Sequence, residues 1–343
     1  MLRGGVIGFG RMGLTHFSIL NNHPEVKFVA VCDSSSFMLK NIGKYTGIDT
    51  FKDYHKMIDR SGLDFVIVAT PTGMHAEIVK YAIQSNLHIF VEKPFALNVR
   101  QGEELVEMLK GKKLVNQIGY VIRFNDVFIQ VKKLLDAGVL GDLLTFKMEM
   151  YGPTLLKDAK SGWRSKKQEG GGCLYDFASH SIDLINYLIG VPDEICGSVL
   201  QSIHSANVED AICSTFLYKN NLRGNLLVNW SDPSYRKPAY RMEIFGRKGK
   251  IIADLHSYKV FFRNESGFDG FTQGWNERYI TDFVEPVRFY VRGFEFTRQL
   301  DCFIDCIINE TPSKKCSFEE GLKTDMMIER IIEDAGKRRA GNG

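Results

Sequence analysis

Apolar positions follow two different rhythms along the chain. From residue 1 to about 120, short apolar runs alternate with stretches whose apolar residues recur at helical spacing, the pattern of a parallel sheet covered by helices on both faces. The runs predict strands at Arg3 to Ile7, Phe28 to Cys32, Asp64 to Ala69, His88 to Val91 and Leu114 to Ile118. Helices fit between them at Met12 to Asn21, Phe37 to Gly43, Tyr54 to Asp59, His75 to Ser85 and Val99 to Lys110. Beyond residue 120 a helix at Asp126 to Ala137 and a strand at Leu143 to Met150 lead into a glycine-containing loop and another helix. Strands then follow at regular intervals, "EICGSVLQSI", "AICSTFLY", "RGNLLVNW", "RMEIFG" and "GKIIADL", with turn residues at Asn220-Asn221 and Gly246 to Gly249. Short turns between consecutive strands predict an antiparallel sheet. Residues 263–282 are rich in glycine and aromatic residues and give no assignment, and helices at Phe294 to Asn309 and Phe318 to Ala335 close the chain.

The expected fold class is therefore α/β. A Rossmann domain with a doubly wound parallel sheet spans 1–121, and an α+β domain with an open, mainly antiparallel sheet spans 122–343.

Within the second half, "EGGGCLYDFASHSIDLI" places Asp176, His180, Asp183 and Tyr187 on one helical face and Ala178, Ile182, Ile185 and Ile189 on the other. Such a polar stripe faces either water or a ligand. Composition narrows the choice of ligand. With 44 Lys and Arg against 41 Asp and Glu, the net charge of +3 argues against nucleic acid as the main partner. No apolar segment is long enough to span a bilayer, and the first residues lack the regions of a signal peptide, so a cytoplasmic protein without a membrane partner is expected. The seven cysteines are scattered and form no C-x-x-C or His/Cys cluster, so no metal site is expected.

The first predicted strand ends in "GFGRMG", and Gly8, Gly10 and Gly13 form G-x-G-x-x-G between strand and helix. The first glycine permits a tight turn, the second lets backbone approach a pyrophosphate, and the third lets helix and strand pack closely. The second strand ends at Asp33, placed to accept hydrogen bonds from the ribose hydroxyls of an adenine nucleotide. A carboxylate there repels a 2′-phosphate, so NAD is favoured and NADP is left open. Arg11 and Met12 in the loop, and Thr70, Pro71, His75, Glu92 and Lys93 after later strands, complete the candidate cofactor contacts.

"GFGRMG", "ATPTGMHAE" with Pro71 and His75, "EKP" at Glu92 to Pro94, "GYVIRFN" at Gly119 to Asn125, "GWR" at Gly162 to Arg164, "GGGCLYDFASHSID" and "FEEGLKTDMMIERI" occur in order. In these motifs the chain resembles the Gfo/Idh/MocA family, oxidoreductases typified by glucose-fructose oxidoreductase and inositol dehydrogenase. The resemblance implies that Lys93, Asp176 and His180 are catalytic. Chemistry independently asks for such a set: a histidine can take a hydroxyl proton near neutral pH, and a lysine ammonium can stabilise the developing alkoxide. Asp176 is expected to raise the imidazole's basicity or bind another substrate hydroxyl.

Lys93, Arg123, Trp163, Arg164, Asp176 and His180 are the expected substrate contacts, with Asp183 behind them. The polar stripe is expected to face the nicotinamide, with Gly170 to Gly172 turning the chain without crowding the substrate. Lys93-Pro94 is either a cis peptide, as in family counterparts, or a trans turn. The implied activity is hydride transfer between NAD, or NADP, and a ring hydroxyl or ketone of a sugar, polyol or nucleotide sugar. The family's open sheet implies a homodimer or homotetramer. Two rivals stand beside this: a redox-neutral glycosidase that holds NAD, and a dinucleotide or sugar sensor without chemistry.

Overall fold

The computed structural model of the protein describes residues 1–154, 163–265, 267–313 and 315–341, with 338–341 in backbone only. Gly162 of the "GWR" motif lies outside the described residues. The chain divides into two compact units, one formed by 1–121 with 286–325 and the other by 122–285 with 326–343.

The first unit holds a six-stranded sheet of β1 (Leu2–Ile7), β2 (Val26–Cys32), β3 (Asp49–Phe51), β4 (Phe65–Val68), β5 (His88–Val91) and β6 (Asn116–Ile118). Their order is β3-β2-β1-β4-β5-β6, and every pairing is parallel. All four residues of β4, "FVIV", are buried, as a central parallel strand covered on both faces requires. Helices α1 (Arg11–Leu20), α2 (Ser36–Thr46), α3 (Tyr54–Ser61), α4 (His75–Gln84) and α5 (Val99–Leu109) connect them. The caps are local. Ser35, Asp53 and Asn98 each accept a backbone N–H at the start of α2, α3 and α5, and Gly47 and Gly62 end α2 and α3 in the left-handed region. Strand β3 escapes the sequence reading because its three residues are exposed or half-buried and form no apolar run.

The expected boundary at 121 is where the first unit breaks, but that unit is not contiguous. Helix α8 (Phe294–Ile308), expected in the second domain, belongs to the first. Its Leu300, Phe303, Ile304 and Ile307 join Phe28, Phe65, Ile67 and Phe90 in one core, with the Phe303 ring edge-on to Phe65 at 5.8 Å and Phe90 at 5.9 Å. Without α8 this aromatic face would be uncovered, and each such side chain gains about 1.5–3 kcal/mol from burial.

The second unit holds an eight-stranded sheet of β7 (Leu143–Tyr151), β8 (Glu194–Gln201), β9 (Ala211–Leu217), β10 (Arg223–Asn229), β11 (Ala239–Gly246), β12 (Gly249–Ala253), β13 (Ser257–Phe262) and β14 (Gly274–Tyr279). The order is β14-β13-β12-β11-β7-β10-β9-β8, antiparallel except for the parallel pair β7 and β10. Short turns do not connect those two strands, so the turn-based expectation fails there. Alternation sets the faces: Phe146, Met148 and Met150 of β7, Leu226 and Val228 of β10, and Tyr240, Met242 and Ile244 of β11 point to the buried side. That side packs against α6 (Asp126–Asp136) and α7 (Ser179–Leu188). Helix α9 (Phe318–Gly341) ends the chain.

Candidate active site

The glycines after β1 have three separate physical reasons. Gly8 has φ +88°, and a Cβ there would lie 2.7 Å from the Ala69 carbonyl oxygen; a Cβ on Gly13 would lie 1.9 Å from the Gly8 oxygen. At Gly10, among the described residues no heavy atom comes within 4 Å of where a Cβ would sit, so that side is open. Gly10 caps α1 without a side-chain hydrogen bond, and the first turn carries no acid, so its N–H groups can meet an anion. The loop lies at the carboxyl ends of β1 and β4, where the strand order reverses and open parallel sheets bind nucleotides.

Asp33 is held in place by backbone donors. Phe9 N–H donates to Oδ2 at 2.6 Å and Ser35 N–H to Oδ1 at 2.7 Å, and each oxygen keeps a lone pair for a ribose hydroxyl. Thr70 Oγ1, after β4, is buried without a hydrogen-bond partner among the described residues. The open side at Gly10, the uncapped helix start and this orphaned hydroxyl fit a dinucleotide. A further cation arrives from the returning segment: Arg292 Nη1 lies 3.4 Å from Met12 Sδ, and its guanidinium pKa is lowered by burial and by Arg11, with Glu92 opposing. Nothing near the glycine motif in sequence points to Arg292, which stands 280 residues from Met12.

Strand β5 runs into Glu92, Lys93 and Pro94, and the Lys93-Pro94 peptide is cis. Lys93 is half-buried, but its neighbours are sealed. Glu92 Oε1 accepts from His16 Nε2 at 2.5 Å, and Glu92 Oε2 accepts the Lys93 N–H at 3.3 Å. Gly119 leaves room for the carboxylate, since a Cβ there would lie 2.9 Å from Oε2. Burial pushes the Glu92 carboxyl up, but the His16 hydrogen bond and the positive charge of Lys93 outweigh it, holding the group below its usual range. His75 has no exposure, and its Nδ1 and Nε2 lie 2.9 Å from the carbonyls of Pro94 and Thr70. Burial lowers its pKa against the opposing pull of those carbonyls and Glu92. Glu92 and His75, both expected at the cofactor, are buried with their polar atoms on the loops after β4 and β5 and on α1.

In the second unit the helix carrying Asp176 and His180 begins with a π-helical stretch, Leu174–Ala178, before α7 continues as an α-helix. Single π turns recur at functional sites. The glycines before it make room for protein atoms. A Cβ on Gly171 would lie 2.4 Å from the Arg164 oxygen, and one on Gly172, at φ +108°, would lie 2.4 Å from Glu209 Oε1. Glu209 is a residue that sequence reasoning missed. Its carbonyl accepts from Cys173 N–H at 2.9 Å and its carboxylate from Leu174 N–H at 2.8 Å, while burial raises its pKa. The adjacent Asp210 accepts from the N–H groups of Ile203, His204 and Ser205, from Ser205 Oγ and from Trp230 Nε1. Burial opposes ionisation of Asp210, but these donors bring its pKa to about 2.

The polar stripe splits between uses. Asp176 Oδ2 accepts from Arg164 Nε at 2.7 Å, and the Arg164 guanidinium lies 4.7 Å from the Trp163 ring centre, so Arg164, Trp163 and Asp176 are brought together. His180 is half-buried. Asp183 is sealed against Arg123, whose Nε and Nη2 donate to its carboxylate at 2.9 and 2.7 Å, and Tyr187 lies under the same guanidinium at 5.4 Å. Arg123, expected at the substrate, is buried with 1% exposure and paired with Asp183. Among the described residues no group of three or more His, Cys, Asp or Glu could hold a metal ion.

Comparison with known proteins fits this arrangement. Residues 2–120 match the family model described as oxidoreductase family, NAD-binding Rossmann fold, and residues 128–252 match the GFO/IDH/MocA C-terminal domain. The chain belongs to the GFO/IDH/MocA family of oxidoreductases, with an NAD-binding Rossmann domain. It is similar to a myo-inositol 2-dehydrogenase of Thermotoga maritima, 26% identical over 305 residues that cover 85% of this chain and 88% of the relative. It is also similar to a 2,7-anhydro-N-acetylneuraminate hydratase of Escherichia coli, 26% identical over 260 residues covering 74% and 68%. A levoglucosan dehydrogenase solved with NADH and levoglucosan shares the fold at TM-score 0.84, with 22% identity and coverage of 98% and 97%.

Proposed function

We propose that the protein is an NAD-dependent dehydrogenase of a ring hydroxyl on a polyol or sugar, with His180 as general acid and base and Lys93 as electrostatic partner of the reacting oxygen. One observation carries the assignment. Among the ionisable residues of the "EKP" and "GGGCLYDFASHSID" motifs, Lys93, Tyr175 and His180 keep partial exposure, whereas Glu92, Cys173, Asp176 and Asp183 are buried. They include a base, His180, and a cation, Lys93, which alcohol oxidation needs.

The bound nicotinamide supplies the hydride acceptor. Residues of the glycine loop, Arg11, Met12, Asp33 and Thr70, hold the cofactor, with NAD favoured over NADP by the fixed Asp33 carboxylate. His180 takes the hydroxyl proton, and Lys93 donates a hydrogen bond to the oxygen as charge develops on it. Asp176, paired with Arg164, orders the first turn of the helix. The Thermotoga relative supports a cyclic polyol as substrate. In this reading the exposed face of the second sheet, with Phe245, Trp275 and Tyr279 outward, is where copies of the chain pair, and light scattering of the purified protein tests it.

The direct test follows reduced-nicotinamide absorbance with NAD and a panel of inositols, levoglucosan, free sugars and UDP-sugars. Sustained reduction with one group is expected, and His180→Ala should lower kcat by about 10²–10⁴-fold while NADH still binds. Unchanged turnover in that variant would sink the role of His180. The Escherichia coli relative, named as a hydratase, favours one second reading, a reaction without net redox change; product formation with constant total NADH would select it.

A further inference from the structure

We infer that two buried histidines, His16 and His75, are positioning residues that hold Lys93 from its two sides, His16 through the Glu92 carboxylate and His75 through the Pro94 carbonyl. The inference rests on the assignment of Lys93 above. Neither ring has any exposure, so neither can touch substrate or cofactor; each spends a ring nitrogen on the residue directly before or directly after Lys93.

The tautomer of His16 follows from its surroundings. Its Nδ1 is buried with no partner among the described residues, and the ring lies edge-on to Phe90 at 5.0 Å. A proton on Nδ1 would be an unsatisfied buried donor, costing about 1–3 kcal/mol. The proton therefore sits on Nε2 and is donated to Glu92. With no acceptor beyond Nδ1, the pair cannot relay a proton outward. It is a static support, and it ties α1, whose start carries the cofactor loop, to the strand end that carries Lys93.

His75 does the same from the other side. As the first residue of α4 it lies between the chain leaving β4 and the chain leaving β5, with one nitrogen on each. The contact to Pro94 fixes the backbone immediately after Lys93. The contact to Thr70 fixes the loop beside the expected nicotinamide position. The neutral ring that burial favours has one N–H for these two carbonyl oxygens; within this inference it is on Nδ1 and goes to Pro94, and substitutions can separate the two contacts.

An asparagine amide reaches where Nδ1 of histidine stands, and a glutamine amide where Nε2 stands. His75→Asn keeps the hold on Pro94, His75→Gln keeps only the hold on Thr70, His16→Gln keeps the donor to Glu92, and His16→Leu removes it. The primary readout needs no substrate: the rate at which pyridoxal 5′-phosphate, fixed with borohydride, labels Lys93, measured by peptide mass spectrometry. Melting temperature and NADH affinity control for folding.

His75→Asn and His16→Gln should label within about twofold of the unmodified protein, whereas His75→Gln and His16→Leu should differ at least about fivefold and lose about tenfold or more in kcat with KM for NAD little changed. Equal labelling of all four would overturn the inference. So would losses that simply follow the melting temperature in every variant. If the unmodified protein turns over nothing in the panel while the labelling contrast stands, the dehydrogenase reading fails and the positioning of Lys93 holds.

Discussion

Lys93 and His180 are both half-buried, and the structure supports them by different means. Around Lys93 the supports are two sealed imidazoles, the buried Glu92 carboxylate and main-chain carbonyls at the ends of adjacent parallel strands. Around His180 the support is ionic and assembled from loops: Arg164 on Asp176 with side-chain exposures of 28% and 10%, Arg123 on Asp183 at 2% and 1%, and Glu209 on the first N–H groups of the π turn. A residue at a strand end inherits its place from the sheet and needs only local clamps. A helix start that projects from an irregular loop has to be built from charges and glycines.

The largest effect that separates the two regions should come from the sealed ion pair. Arg123→Met leaves Asp183 as an uncompensated buried charge and should destabilise the protein by about 3–5 kcal/mol, measured by urea unfolding. A loss below about 1 kcal/mol would mean that water reaches Asp183. Next come the glycines. Gly172→Ala forces a side chain at φ +108° into the Glu209 carboxylate, so about 1–3 kcal/mol of stability should be lost. Gly10→Ala meets no described atom, with φ −68°, and should leave the melting temperature nearly unchanged while weakening NADH binding. If both variants lose stability alike, the glycine loop is under the same internal crowding as the second region.

The smallest effect is on pH. The folded-state pKa of His75 is lowered below 6.5 by burial, so the unfolded chain takes up the proton first, and stability is present above about pH 6.5 and falls as pH drops through that value. His23 and His88, also lowered chiefly by burial, act in the same window. His75→Asn should flatten the decline in stability between pH 7 and 5, and an unchanged slope would assign it to the other two.

Local patterns made much of this legible. Strands β1, β2, β4 and β5 are apolar runs that no other element explains, and the glycine loop and Asp33 follow them at fixed offsets. Strands β13 and β14 were hidden because aromatic residues occupy both faces: Tyr258 and Phe262 point inward while Phe261 meets Trp275 outward at a tilt, so alternation disappears. The pairs that hold the site were beyond reach for another reason. His16 and Glu92 stand 76 residues apart and Arg123 and Asp183 stand 60 apart, and no periodicity links one histidine in α1 to a carboxylate in a later motif. The glycines before Asp176 were visible, but their reason was not, because the atoms they make room for come from Arg164 and Glu209.

The return of residues 286–325 to the first unit bears on how the chain is made. Domains generally fold from the N-terminus during synthesis at about 5–20 residues per second. Here the nucleotide-binding sheet is translated before α8, so the Phe303 that packs on Phe65 and Phe90 emerges later. At those rates the ribosome needs roughly ten seconds or more to travel from β6 to α8. Throughout that interval the six-stranded sheet lacks the α8 side chains that pack on it, which makes 1–121 a poor candidate for expression as a fragment.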